Sequence, residues 1–214
     1  MHNDNKKLNR KPTKGSKHLH SFTTERLLIR PIQAQDQALY ISLYTDAKIM
    51  QHIGAPLSLQ AAEKAFNSTL NVMNKVISSA ANKAKSKKKP KTMTWVMVTL
   101  DNQQSIGIQA LHWQGDDCAE IGIMLLNQTK GKGLATEAMS TLIKYGFEYY
   151  GLNTINIRYF KENFAMTAIA KKMGFINKAN AQVIDEKTQY QYINKHSWQN
   201  NMIKTIDRSE FHER

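Results

Sequence analysis

Between Asn127 and Glu137 the chain reads Asn-Gln-Thr-Lys-Gly-Lys-Gly-Leu-Ala-Thr-Glu, with lysine and glycine alternating from Lys130 to Gly133. Ahead of it lies an apolar run, Ala119 to Leu126, of strand length and strand composition. Behind it Ala135, Ala138, Met139, Leu142, Ile143 and Phe147 recur at helical spacing. A strand, a short basic loop and a helix leave the first helical N–H groups unpartnered, with the positive end of the helix dipole at the loop. Gly131 and Gly133 let the backbone come close to a ligand, and Lys130 and Lys132 add mobile cations. These residue types suit a phosphate or pyrophosphate. A Walker A loop is excluded, because Leu134 follows Gly133 where a lysine is required. A dinucleotide fingerprint is excluded too, since Thr136 stands where the third glycine belongs. Taken alone, the same residues also read as a solvated glycine turn.

The surrounding chain must position that loop. At 214 residues and 41% hydrophobic content it is long enough for one domain with a sizeable core. No apolar stretch approaches the roughly 20 residues of a membrane span. The first residues lack the apolar core of a signal peptide, and the lone Cys118 rules out an intrachain disulfide framework, so a reducing cytoplasm is expected. The net charge of +13 is unevenly placed: residues 1–20 carry +5 and residues 82–91 carry +6, leaving +2 for the rest. The reading is a basic disordered tail over 1–21, a domain over 22–200 with a lysine-rich loop insertion at 82–91, and a C-terminal tail over 201–214. Tail and loop are either solubilising or a weak, salt-sensitive hold on an anionic partner such as RNA or the ribosome. No aromatic residue lies among the lysines of the loop to stack on bases.

Residues 22–32 predict a first strand closed by Pro31, followed by a helix opened by Asp36 or Gln35 and running to about Ala47, and a longer one from Leu59 to Ser79, with Ser58 as N-cap. Strands are expected over Thr92–Leu100 and Ser105–Trp113, with the strand before the glycine loop completing a meander. After the long helix, Asn153–Phe160 predicts a strand. Asn163 to Met173 predicts a short helix stopped by Gly174, and Gln189–Asn194 with Trp198 predicts one or two final strands. The result is a mixed α/β domain, its central β-sheet an antiparallel meander followed by β-α-β-α-β-β, flanked by about four helices.

Gln128-x-x-Gly131-x-Gly133 resembles the Q/R-x-x-G-x-G/A motif of the GCN5-related N-acetyltransferases, the GNAT family. Thr24 to Arg30 resembles the opening strand of its RimJ/RimL branch, and Ala119–Leu125 and Gly131–Ala138 resemble that branch's central strand and loop–helix. Asn163 through Lys172-Met173-Gly174-Phe175 resembles its N-x-x-S…E-K-x-G-F segment. The resemblance covers roughly residues 22 to 198. It implies a single GNAT-type domain with a V-shaped cofactor cleft, where two neighbouring strands splay after a bulge and the pantetheine of coenzyme A lies between them.

The resemblance further implies an acetyl-CoA-dependent N-acetyltransferase in which a primary amine attacks the thioester directly. The acceptor would be a protein N-terminus or a small-molecule amine, and the enzyme a monomer or homodimer. Backbone groups of Met124 and Leu126 would pair with pantetheine. The Leu125 N–H would donate to the carbonyl oxygen as it gathers charge. Gln128, Lys130, Gly131, Lys132, Gly133, Ala135 and Thr136 would surround the pyrophosphate, and Asn163 would contact the cofactor arm. Glu120 is the first candidate for general base, being the only carboxylate within the central strand, and His112 on the preceding strand is the second. Each also has a structural reading, Glu120 as a strand-end partner of a lysine and His112 as a satisfied strand residue. No metal is expected. Two departures stand out: Ala170 occupies the position where many family members carry a tyrosine acid, and Met166 replaces the motif serine. The alternative reading is a non-catalytic acyl-CoA-binding or RNA-associated module with the same fold.

Overall fold

A computed structural model describes residues 20–81, 90–177 and 186–201; the tail at 1–19, most of the lysine-rich segment and the residues beyond 201 lie outside them. Eight strands form one sheet: β1 (Phe22–Thr23), β2 (Leu27–Pro31), β3 (Thr92–Thr99), β4 (Ser105–Trp113), β5 (Cys118–Leu125), β6 (Thr154–Phe160), β7 (Ile176–Asn177) and β8 (Thr188–Asn194). Their spatial order is β1-β2-β3-β4-β5-β6-β8-β7. Every neighbouring pair is antiparallel except β5 and β6, which run parallel and are joined through the helix α4 (Leu134–Glu148). The other helices are α1 (Gln37–Thr45), α2 (Ala47–Met50), α3 (Leu59–Ala81) and α5 (Phe164–Met173). A further helical segment covers 195–201, so the described residues hold about six helices against the four or so expected.

Alternation along the strands sorts the layers. Trp95 of β3 packs edge-on against Tyr145 of α4, and Leu111 of β4 reaches Gly146 of the same helix. Odd-numbered residues of the central strands therefore face α4, whose core stripe is Ala138, Met139, Leu142, Ile143 and Phe147. The even-numbered side chains face the other layer, where α1 packs over β4 and α3 over β3.

The sequence reading departs from this at three places. Residues 22–32 are not one strand: Thr24 accepts the Leu27 N–H on its hydroxyl and donates its own N–H to the Leu27 carbonyl, folding β1 back on β2. The first helix breaks at Asp46, whose extended backbone and carboxylate, accepting from the Lys48 and Ile49 N–H groups, start α2 afresh. Trp198 lies in a helical segment at 195–201 instead of a strand, because the Asn194 side chain accepts the Ser197 N–H and turns the chain. Ser58 does cap α3, accepting the Ala61 N–H at 3.2 Å, and Gly174 ends α5 at φ +81°.

Candidate active site

The loop comes first. Residues 127–129 form a 3-10 turn held by the Thr129 hydroxyl and N–H, both donating to the Leu126 carbonyl. Gly131 and Gly133 then take φ values of +79° and +76°, which side-chain-bearing residues rarely adopt. Helix α4 starts at Leu134 with Gly133 as a cap that supplies no side chain, and its first helical bond runs from the Glu137 N–H to the Gly133 carbonyl. The amides from Gly131 to Thr136 therefore find no partner among the described residues, and a Cβ built on Gly131 would meet nothing within 4 Å. Unpaired donors, an open cradle and a helix N-terminus fit a pyrophosphate.

The loop is braced from β2's side. The Arg26 guanidinium donates from Nε to Glu137 at 2.7 Å and from Nη1 to the Lys132 carbonyl at 3.0 Å, while the Thr24 hydroxyl and the Arg26 N–H also donate to Glu137. Burial raises the Glu137 pKa, but the hydrogen bonds from Thr24 and Arg26 and the Arg26 charge outweigh it, holding the carboxyl below its usual range. Sequence reading missed Arg26 and Glu137 as parts of this site, because their pairing joins residues over a hundred positions apart.

Strands β5 and β6 pair only from Cys118↔Thr154 to Glu120↔Asn156 and then part, although both run on for several residues. The gap is a V-shaped cleft of about 480 Å³ at the end of the sheet where β5 runs on to the glycine loop. No bulge causes it: the β4–β5 register runs unshifted from Gly107↔Leu125 to Trp113↔Ala119, and the shift in this region lies between β3 and β4 at Met97/Val98.

That register also decides which amides face the gap. The Leu126 N–H donates to the Ile106 carbonyl and the Gln114 N–H to the Cys118 carbonyl, both at 2.9 Å. Even-numbered residues of β5 thus spend their backbone groups on β4. Met124 and Leu126 point their amides away from the cleft, against the expectation that they pair with pantetheine; the open edge belongs to Ile123 and Leu125. The Met124 side chain still lines the cleft.

Glu120 stands where the strands part, on the even face. Its Oε1 lies 3.5 Å from Arg158 Nε and its Oε2 accepts from Gln114 Nε2 at 3.0 Å. Its partner is an arginine, not the lysine of the structural reading. His112 is its direct cross-strand neighbour but is exposed, bonds to the Thr92 hydroxyl at 2.7 Å and is not among the residues lining the cleft. Asn163 caps α5, its side-chain oxygen accepting the Met166 N–H, and lines the cleft with Met166. Gln128, Lys130 and Lys132 are exposed around the loop. Ala170 is fully buried and offers no hydroxyl.

The far wall comes from residues the sequence did not single out: Tyr44 at the end of α1, His52 and Ile53 after α2, Arg158 and Phe160 on β6, and Tyr190 on β8. Burial, with Tyr40 beside it, raises the Tyr44 phenol well above its ordinary pKa, so it serves as a neutral hydrogen-bonding group. No local pattern marks these side chains; the fold gathers them. Among the described residues no cluster of metal-ligating side chains is present, and no helix is long and apolar enough to cross a membrane.

An anion cradle at the start of α4, together with a cleft carrying a carboxylate where β5 and β6 part, fits a transferase that uses a long, phosphate-bearing donor. The chain belongs to the acetyltransferase (GNAT) domain family, whose model matches residues 26–176. It is 26% identical over 154 residues to the uncharacterized N-acetyltransferase YoaA of Bacillus subtilis, covering 71% of this chain and 80% of that protein. Its fold is similar to a GNAT acetyltransferase from Bacillus anthracis (TM-score 0.66, 19% identity, 82% of this chain and 99% of that one). It is also similar to spermidine N-acetyltransferase from Vibrio cholerae, solved with CoA and spermine (TM-score 0.64, 18% identity, 83% and 100%).

Proposed function

We propose that this protein transfers an acetyl group from acetyl-CoA to a primary amine by direct attack of the amine on the thioester. The observation that carries this is the parting of β5 and β6 beyond Glu120, which leaves the Ile123 and Leu125 backbone free on an edge that runs to the uncapped start of α4. Acetyl-CoA supplies the activated acyl group. The amides of Gly131 to Thr136, with Lys130 and Lys132, hold its diphosphate. Ile123 and Leu125 pair with the amides of its arm as an added strand would, and the Asn163 side-chain N–H₂ borders the arm. The Leu125 N–H donates to the thioester oxygen as that atom gathers charge. Glu120 takes the proton from the attacking amine, directly or through a water, with Gln114 and Arg158 fixing its two oxygens.

The RimJ/RimL character of this reading rests on the Thr24–Arg30 and Asn163–Phe175 segments, and the cytoplasmic placement on the lone thiol of Cys118. Glu120→Gln tests the mechanism. It keeps the shape and the Gln114 contact but cannot accept a proton at neutral pH. Thiol release in the presence of an amine panel should fall at least 100-fold while calorimetric affinity for CoA stays within about twofold. Undiminished turnover in the variant overturns the role of Glu120. CoA binding by the parent protein with no transfer to any amine supports the non-catalytic alternative instead.

A further inference from the structure

We infer that the acceptor is a small amine bearing an anionic group, a carboxylate or a phosphate, a few bonds from its nitrogen, and that Arg158 selects it. The inference rests on the N-acetyltransferase reading above. The described lining of the cleft lies on the face of the sheet opposite α4, where Glu120, Arg158, Tyr44, His52 and Tyr190 converge, and the acceptor enters from that face. Among the described residues that line the cleft, Glu120 is the one carboxylate. It is already committed to Arg158 on one oxygen and to Gln114 on the other. A polyamine would bring a second ammonium into a space whose only acid is taken and whose remaining charge is the guanidinium. That space rejects it.

Arg158 is placed to do the opposite. It sits on β6 two residues beyond the last β5–β6 pair, and its side chain is 53% exposed against 24% for Glu120. Nε lies 3.5 Å from Glu120 Oε1, and neither terminal nitrogen makes a hydrogen bond among the described residues. A guanidinium with its Nε beside Glu120 presents a planar pair of donors at its terminal nitrogens, matched in spacing to the two oxygens of a carboxylate or phosphate. The amine end of such an acceptor then falls beside Glu120, the acid–base group, at the mouth of the arm's channel. Tyr44, Ile53, Phe160 and Tyr190 supply an apolar and aromatic wall for the spacer or side chain between the two ends.

The test is a matched panel assayed for kcat/KM with acetyl-CoA: phenylalanine, phenylalaninamide and phenethylamine; O-phosphoethanolamine and ethanolamine; and spermidine. Binding of each acceptor to the CoA-loaded protein is measured in parallel by calorimetry. The anionic member of at least one set should exceed its uncharged counterparts at least tenfold in both readouts, the two sets separating carboxylate from phosphate. Spermidine should be among the poorest. In Arg158→Gln that preference should shrink to threefold or less, and Arg158→Lys should restore part of it. Spermidine or uncharged amines performing as well as the anionic ones overturns the inference. So does an Arg158→Gln variant that weakens all acceptors equally, which would make Arg158 a positioning residue for Glu120 alone. If nothing in the panel binds or reacts while acetyl-CoA binds normally, the inference falls with the panel. Loss of acetyl-CoA binding in the parent protein would instead remove the transferase reading beneath it.

Discussion

His20 shows how a single buried group sets the response of the fold to acid. Its ring lies among Tyr145, Tyr149 and Tyr150, with Nδ1 hydrogen-bonded to the Tyr145 hydroxyl and Nε2 buried without a partner among the described residues. Burial lowers its pKa, so the folded protein keeps the ring neutral where the unfolded chain protonates it. Above about pH 6.5 both states hold a neutral ring and His20 contributes nothing to the pH dependence. Below that value the unfolded state binds the extra proton, so stability falls as pH falls until the folded ring also titrates. The slope from this one group is at most about 1.4 kcal/mol per pH unit, equivalent to roughly 3–6 °C in Tm for a chain of this size. Thermal melts between pH 5 and 7.5 should show this decline, and His20→Phe should flatten it. An unchanged slope in the variant would assign the acid sensitivity to other groups.

Among the secondary-structure elements, the decisive one is the turn into α4. It was legible in the sequence because Gly131, Gly133 and the helix behind them are local: spacing alone marks an uncapped helix start. The strands before it and the Asn163–Gly174 helix were legible for the same reason. The edge that faces the cleft was not legible. One residue of register decides whether Met124 or Ile123 turns its amide outward, and register belongs to the pairing with β4. The brace on the loop was equally hidden, since Arg26 reaches Glu137 and Lys132 only after β2 and α4 are packed. Its contribution can be measured. Arg26→Ala removes one end of the clamp and leaves the Glu137 carboxylate with only Thr24 and a backbone N–H. Affinity for CoA should drop about five- to twentyfold, with a Tm loss of no more than a few degrees, since a half-exposed ion pair contributes little to global stability. If affinity is unchanged, the loop holds its shape without the brace.

For the whole molecule, charge and structure divide the chain differently. The sheet, the cleft and the loop are built from residues whose summed charge is close to zero, while residues 1–20 and 82–91 carry +11 of the net +13. Attraction to a polyanion scales with the number of cations that neutralise phosphates and falls steeply with salt. A chain lacking residues 1–19 and with the lysines between Lys83 and Lys91 replaced by serine should therefore lose most of its retention on heparin, and most of the salt dependence of that retention. Acetylation of a small amine should be left unaltered, because Glu120, Arg158 and the α4 turn come from other parts of the chain. Elution salt on heparin and kcat/KM for one good small acceptor, measured on both chains, check the two halves separately. Retention that survives the change would put the polyanion site on the body of the protein, where exposed Lys130 and Lys132 beside the unpaired amides are the first place to look. In that case coenzyme A should compete with heparin for the chain, as it would not if the appended lysines alone were responsible.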